Sequence, residues 1–199
     1  EAARPFAAGR GWWIDPRPDA PTPPPIGRRR LAVEPRTAFG SGTHESTRLV
    51  LAALEDLSVR GRSVLDVGTG SGILAIAADR LGARPVVAFD VDRDAAWVAR
   101  RTAVEQDWPV RVLMFTGPIA AIGTRRFDVV LCNMLAEQFR PLLPDLHRIL
   151  EPAGVVVLSG MLVAELESVR CDLRRAGMPV RDEWRSGEWA SVTAVRCDG

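Results

Sequence analysis

The sequence predicts an α/β fold in which a largely parallel, seven-stranded sheet carries helices on both faces and ends in an antiparallel hairpin. Two observations lead to this prediction. Short apolar segments alternate with longer segments of helical periodicity over most of the 199 residues, which is the pattern of repeated βα units. The stretch GTGSG also joins the apolar segment VLDV to the helix-like ILAIAA, as the first turn of a doubly wound sheet does.

The N-terminal stretch, up to about residue 27, is rich in proline and contains the run PRPDAPTPPP. Because proline lacks a backbone N–H, no regular element is predicted here except a short strand in GWWI at 11–14. The two tryptophans of that strand, Trp12 and Trp13, either cover an apolar edge of the core or form a lid over a substrate. We therefore divide the chain into a proline-rich arm, 1–30, and one α/β domain, 31–199.

The domain opens with an apolar run at 31–33 and a loop that contains Gly40 and Gly42. Ser46 or Thr47 is expected to begin an amphipathic helix that ends near Leu57, since small hydroxyl residues favour helix N-termini.

The apolar segments that follow are short and largely uninterrupted, as in strands buried on both faces of a parallel sheet. They predict strands at 63–67, 86–90, 110–115, 128–133 and 155–159. The amphipathic segments between and after them predict helices at 73–81, 93–105, 142–150 and 163–176. Two last segments, 180–184 and 189–196, are joined by RSGEW and are expected to pair as a hairpin at the edge or end of the sheet.

The composition excludes several functional classes. With 26 basic and 25 acidic residues the formal net charge is +1, so no global field attracts nucleic acid or an anionic membrane. The cysteines, Cys132, Cys171 and Cys197, lack CxxC spacing and predict neither a zinc site nor a disulfide framework. We expect a cytoplasmic protein, and no apolar stretch approaches the length of a spanning helix.

The glycine turn and two aspartates predict a nucleoside site. Gly68, Gly70 and Gly72 have no Cβ that would keep a ligand from the backbone, and the N-terminus of the following helix favours an anionic group. Asp66 lies two residues before the turn, and Asp90 ends the next strand, where its carboxylate can accept both hydroxyls of a ribose. The spacing GxGxG, in place of GxGxxG, favours S-adenosylmethionine, with a nicotinamide or flavin dinucleotide as the alternative.

Asn133 ends the strand-like segment FDVVLCN and is the only asparagine of the chain. A polar group at the carboxyl end of a parallel strand lies beside the expected ligand crevice. Asn133 either takes part in catalysis there or caps the helix that MLAEQF begins.

Three stretches together resemble the class I S-adenosylmethionine-dependent methyltransferases: AFGSGTHESTR at 38–48, VLDVGTGSGILAIAADRLGA at 64–83 and FDVVLCNMLAE at 127–137. More narrowly, they resemble the PrmA family, which methylates amino groups of ribosomal protein L11, with support from LSGML at 158–162 and GEW at 187–189. The resemblance covers roughly 11–196. It implies a Rossmann-like methyltransferase domain at 31–199, S-adenosyl-L-methionine as cofactor, and a protein substrate.

The resemblance also implies roles for individual residues. Cofactor contacts fall on Thr47, Gly68, Asp90 and Asn133. Phe39, Gly40 and His44 belong to a loop that folds over the cofactor in similar enzymes. We expect two departures from the family, namely the absence of the usual N-terminal substrate-recognition domain and the presence of Pro118 where many class I enzymes place an acidic or small polar residue near the adenine.

Asn133 is the expected catalytic residue, because its amide oxygen can orient a neutral amine without the negative charge that would favour an ammonium ion. The segment NMLA offers no aromatic platform for a planar acceptor, which favours an aliphatic amine such as lysine or an α-amine. No metal, nucleic acid or membrane partner is expected, and no general base is evident. The alternatives are a small-molecule N- or O-methyltransferase and a non-catalytic cofactor-binding module.

Overall fold

The computed structural model describes residues 4–16, 21–33 and 45–197, and these form two β-sheets. The smaller sheet consists of three short strands, β1 (Phe6–Ala8), β2 (Trp12–Asp15) and β3 (Arg29–Ala32). β2 pairs antiparallel with β1 and parallel with β3. The prediction of no regular element outside GWWI is therefore wrong for β1, because the prolines lie before β1 and between β2 and β3 and leave the N–H groups of the strands available.

This small sheet packs against the main body of the protein. Trp12 and Ile14 of β2, together with Leu31 of β3, are completely or almost completely buried in the same apolar cluster as the first helices. Trp12 therefore covers an apolar edge of the core. The division of the chain at residue 30 into an arm and a domain stays a prediction.

The larger sheet has seven strands, as predicted. They are β4 (Val64–Val67), β5 (Val86–Asp90), β6 (Val112–Thr116), β7 (Phe127–Asn133), β8 (Leu150–Leu162), β9 (Val180–Ser186) and β10 (Trp189–Val195). Their order is β6-β5-β4-β7-β8-β10-β9. The first five are parallel, and β10 runs antiparallel to both β8 and β9, which confirms the C-terminal hairpin.

Six α-helices lie among the described residues: α1 (Glu45–Asp56), α2 (Ile73–Arg80), α3 (Arg93–Val104), α4 (Ala136–Phe139), α5 (Leu143–Ile149) and α6 (Leu166–Arg175). Alternate residues of each strand point to opposite faces of the sheet. Val64 of β4 thus belongs to the apolar cluster with α1 and α2, whereas Leu65 belongs to the cluster with α5 and α6. None of the described helices is long and apolar enough to cross a bilayer.

Strand β8 differs most from its prediction, because it begins at Leu150 and not at Val155. The intervening Glu-Pro-Ala-Gly has the composition of a turn, and Ala153 has a φ of 59°. The pairing of β7 with β8 shifts register between Phe127 and Val129. This irregularity accommodates the turn-like residues within one long strand.

Candidate active site

A cleft of about 680 Å³ lies at the carboxyl ends of β4, β5 and β7, which are neighbours in the sheet. Its volume is in the usual range for small-molecule sites. Four predicted site residues line it: Gly68, Gly70, Asp90 and Asn133. Parallel strands bring their carboxyl ends to one edge of the sheet, so residues far apart in sequence meet here.

The glycines of the turn have different surroundings. A Cβ on Gly70 would meet no atom of the described residues within 4 Å, so the backbone there faces the cleft. A Cβ on Gly72 would lie 2.9 Å from the Cβ of Ala99 in α3. Gly70 thus leaves room for a ligand, whereas Gly72 lies outside the cleft lining and lets α2 pack closely on α3.

Asp90 connects the glycine turn to the loop after β5. Its Oδ2 accepts a hydrogen bond from the Gly70 N–H at 3.0 Å, and its Oδ1 accepts one from the Asp92 N–H at 3.0 Å. A carboxylate oxygen can accept more than one hydrogen bond. Asp90 is therefore fixed by backbone groups and still able to accept hydroxyl donors from the cleft.

Asp66 lies behind the cleft, outside its lining. It is 1 % exposed, and its Oδ2 accepts hydrogen bonds from the Thr69 hydroxyl at 2.6 Å and the Ala75 N–H at 3.2 Å. Burial raises the pKa of the Asp66 carboxyl to about 6, although both hydrogen bonds act to lower it. Its Oδ1 is buried and has no hydrogen-bond partner within the described part of the chain. Asp66 braces the glycine turn against α2, and direct contact with a cofactor stays a prediction.

Asn133 and Thr47 contact each other. The Asn133 Nδ2 donates to the Thr47 Oγ1 at 3.2 Å, and Thr47 is fully buried in the first turn of α1. This bond uses one of the two N–H donors of the amide and leaves the amide oxygen as an acceptor on a side chain that lines the cleft. Helix α4 starts at Ala136, and its first turn is closed by Gln138, whose Oε1 accepts from the Leu135 N–H. Asn133 is therefore not the cap of that helix.

Sequence reasoning missed the role of Ser159 in this corner. Ser159 is fully buried in β8 and pairs with Asn133 in the register of β7 and β8. Its Oγ donates to the Ser46 carbonyl at 3.1 Å and contacts the Ala190 carbonyl at 3.3 Å, and its own carbonyl accepts from the Met134 N–H at 3.1 Å. The sequence signal for this role was a hydroxyl residue in the otherwise apolar strand segment LSGML.

Of the other residues singled out in the sequence, one lines the cleft and three lie outside the described residues. Pro118 lines the cleft next to Ile119. Phe39, Gly40 and His44 lie outside the described residues, so their placement over a cofactor stays a prediction. Within the described part of the chain, no group of three or more potential metal ligands occurs.

Comparison with known proteins identifies close relatives. The family model described as ribosomal protein L11 methyltransferase (PrmA) matches residues 1–197. The chain is 41 % identical to a ribosomal protein L11 methyltransferase of Pelobacter propionicus over 97 % of its own length and 63 % of the relative. It is 44 % identical to one from Geobacter sulfurreducens, covering 94 % of the chain and 61 % of the relative. The chain thus spans about three fifths of the length of these relatives.

A solved structure extends the similarity to three dimensions. The structure is a ribosomal protein L11 methylase from Lactobacillus delbrueckii subsp. bulgaricus, and it superposes with a TM-score of 0.88 at 28 % identity. The alignment covers 98 % of this chain and 99 % of that one. The two chains share the same overall fold.

Proposed function

The chain belongs to the ribosomal protein L11 methyltransferase (PrmA) family, and we propose that it transfers a methyl group from S-adenosyl-L-methionine to an amino group of a protein. Ribosomal protein L11 is the first candidate acceptor. The main support for the proposal is that Gly70, Asp90 and Asn133 line one cleft. They provide, in that order, backbone without a side chain, a carboxylate that can bind hydroxyl groups, and a neutral hydrogen-bond acceptor.

The cleft suits this cofactor. Asp90 can bind the ribose hydroxyls, and the open backbone at Gly70 can approach the amino-acid part of the ligand. Phe89, Pro118 and Ile119 provide an apolar wall for a flat base. The loop with Phe39, Gly40 and His44 is proposed to cover the cofactor.

When bound, S-adenosylmethionine supplies an electrophilic methyl group, so the protein needs no nucleophile of its own. The protein must orient an amine, and the amine must be neutral although the unperturbed pKa of lysine is about 10.4. The Asn133 amide oxygen can accept a hydrogen bond from the amine and direct its lone pair, because Thr47 holds the amide nitrogen. Met134 and Leu135 make the neighbouring lining apolar, which lowers the pKa of an amine that enters.

Methyl transfer is tested by incubating the protein with labelled S-adenosylmethionine and either purified L11 or a ribosomal extract. We expect label on L11, and we expect its loss when the amines of the substrate are blocked beforehand. The chain contains no lysine, so label on lysine cannot come from the enzyme itself. Label only in the small-molecule fraction would favour the small-molecule alternative. Cofactor binding without any transfer would favour a non-catalytic module.

Asp90→Ala is expected to weaken the binding of S-adenosylmethionine at least tenfold, because hydrogen bonds to a charged group contribute about 1.5–3 kcal/mol. Calorimetry measures the dissociation constant, with NAD as the competing candidate ligand. Asp92→Ala is the matched control, since Asp92 also lines the cleft but its carboxylate accepts from the Asp94 N–H as the cap of α3. Equal affinity loss in both variants, or tight binding of NAD, would contradict the assignment.

Ser159→Ala is expected to lower kcat/KM about tenfold, because it removes the hydroxyl that donates to the Ser46 carbonyl in the first turn of α1, next to Thr47, the partner of Asn133. The conservative variant Ser159→Thr retains a hydroxyl and is expected to recover part of the loss. Steady-state kinetics with varied cofactor measures both.

Ser191→Ala is the control for Ser159→Ala. Ser191 is equally buried, but its Oγ donates to the Leu158 carbonyl at 3.0 Å, which is a bond within the sheet and not one to α1. Each alanine variant is expected to lose about 1 kcal/mol of unfolding free energy. A comparable fall of kcat/KM in both would make Ser159 a structural residue only.

A further inference from the structure

The near-neutral formal charge of +1 hides a separation of charge between the two ends of the sheet. Acidic residues predominate around the cleft, at the carboxyl ends of the strands: Asp90, Asp92, Glu137, Glu165 and Glu188. Six arginines lie at the opposite end, where β4, β5, β6 and β7 begin: Arg60, Arg62, Arg84, Arg111, Arg125 and Arg126. We call these six residues the arginine edge.

Strand pairing places these arginines side by side. The Arg84 N–H donates to the Arg62 carbonyl at 2.9 Å, across β5 and β4. Arg84 and Arg111 share one partner, because the Asp79 Oδ1 accepts from the Arg84 guanidinium at 2.7 Å and from the Arg111 N–H at 3.2 Å. On the other side, the Arg62 guanidinium donates to the carbonyl of Asp128, close to Arg126, at 3.0 Å.

The arginine edge thus runs across four adjacent strands, or about 14 Å at the usual strand spacing. Arg60 extends it along the turn that precedes β4, and its side chain lies next to Gly82 in the turn between α2 and β5. The positions at the starts of the four strands therefore follow the strand order in a row.

Most of this charge is exposed and not neutralised. Among the described residues, no ion pair involves Arg60, Arg111, Arg125 or Arg126, and all four are exposed. The acidic groups at this end of the sheet include Asp79, Glu105, Asp107, Asp128 and Glu151. Asp79 is almost completely buried and paired with Arg84, and Asp128 accepts hydrogen bonds from the Ser63 N–H and hydroxyl.

We propose that the arginine edge binds the phosphate backbone of a nucleic acid, with single-stranded RNA as the probe of choice. Guanidinium groups bind phosphate through two parallel hydrogen bonds, and a line of them matches a linear polyanion better than a flat lipid surface. Since the edge is at the end of the sheet opposite the cleft, the bound strand leaves the cleft open. The net charge of +1 did not predict a nucleic-acid partner, because it sums the charges of both ends of the sheet.

Fluorescence anisotropy with a labelled 12-nucleotide RNA tests the proposal. We expect a dissociation constant in the micromolar range at 50 mM salt, with an affinity that falls as salt rises. Arg111→Gln/Arg126→Gln, at two positions along the line, is expected to weaken binding about tenfold. The slope of log K against log salt should become shallower by about 1.4, since each phosphate contact to a single strand contributes about 0.7.

The control is Arg93→Gln/Arg185→Gln, which removes the same charge from the end of the sheet that carries the cleft and is expected to leave RNA binding within twofold. Both double variants should unfold at the denaturant concentration of the original chain. Three results would overturn the proposal: no anisotropy change at 25 mM salt, equal weakening in both double variants, or tighter binding to phosphatidylserine vesicles than to RNA.

Discussion

Asn133→Ala is expected to lower kcat at least a hundredfold at saturating cofactor. The variant removes the amide oxygen that would orient the amine, and loss of orientation at a reacting centre costs rates of this order. It also removes the bond from Asn133 to Thr47, so cofactor affinity is measured separately by calorimetry. Single-turnover kinetics with L11 then reports the methyl-transfer step alone, and undiminished turnover would refute the catalytic assignment.

Asn133→Asp distinguishes the chemistry of the amide from its shape. Aspartate has nearly the same size, but its negative charge favours the ammonium form of the acceptor. We expect kcat to stay low near pH 7 and to recover as pH rises, because the amine then loses its proton in spite of the carboxylate. An Asn133→Asp variant as fast as the original chain near neutral pH would mean that a neutral acceptor is not required at this position.

The strands and helices that form the sheet could be predicted because their apolar patterns are local. The short apolar run VLDV predicted a strand buried on both faces of the sheet. In the structure Val64 and Leu65 indeed belong to the two different apolar clusters. Asp90 and Asn133 could be predicted as site residues because both end such runs, and parallel strands bring their ends together.

What could not be predicted depends on residues that are distant in sequence. Ser159 bonds to Ser46 over 113 positions, and Asn133 bonds to Thr47 over 86. No pattern in one stretch encodes such a pair. Strand β1 was missed for a related reason, since it is three residues long and, among the described strands, pairs with β2 alone. The composition likewise gives the net charge, but the arginine edge depends on which strands are neighbours in the sheet.

Gly160→Ala is expected to lower kcat most after the substitutions of Asn133. Gly160 follows Ser159 in β8 and has a φ of 86°, in the left-handed region that side chains avoid at a cost of about 1–2 kcal/mol. A Cβ there would lie 2.5 Å from the Met134 carbonyl oxygen and 2.7 Å from its carbon. These are backbone atoms, so relief requires the corner directly after Asn133 to move.

We therefore expect Gly160→Ala to lower the free energy of unfolding by about 2–4 kcal/mol and kcat by more than tenfold, as measured by urea denaturation and by methyl transfer. Gly61→Ala separates the two causes, because Gly61 has a φ of 73° but a Cβ there would meet nothing within 4 Å among the residues that the structure describes. Its cost should be the backbone strain alone, with kcat unchanged. If both variants lost the same stability and kept turnover, the close approach of Gly160 to Met134 would have no part in positioning Asn133. A loss of turnover in Gly160→Ala alone would instead mean that β8 positions the Asn133 amide through direct backbone contact with Met134.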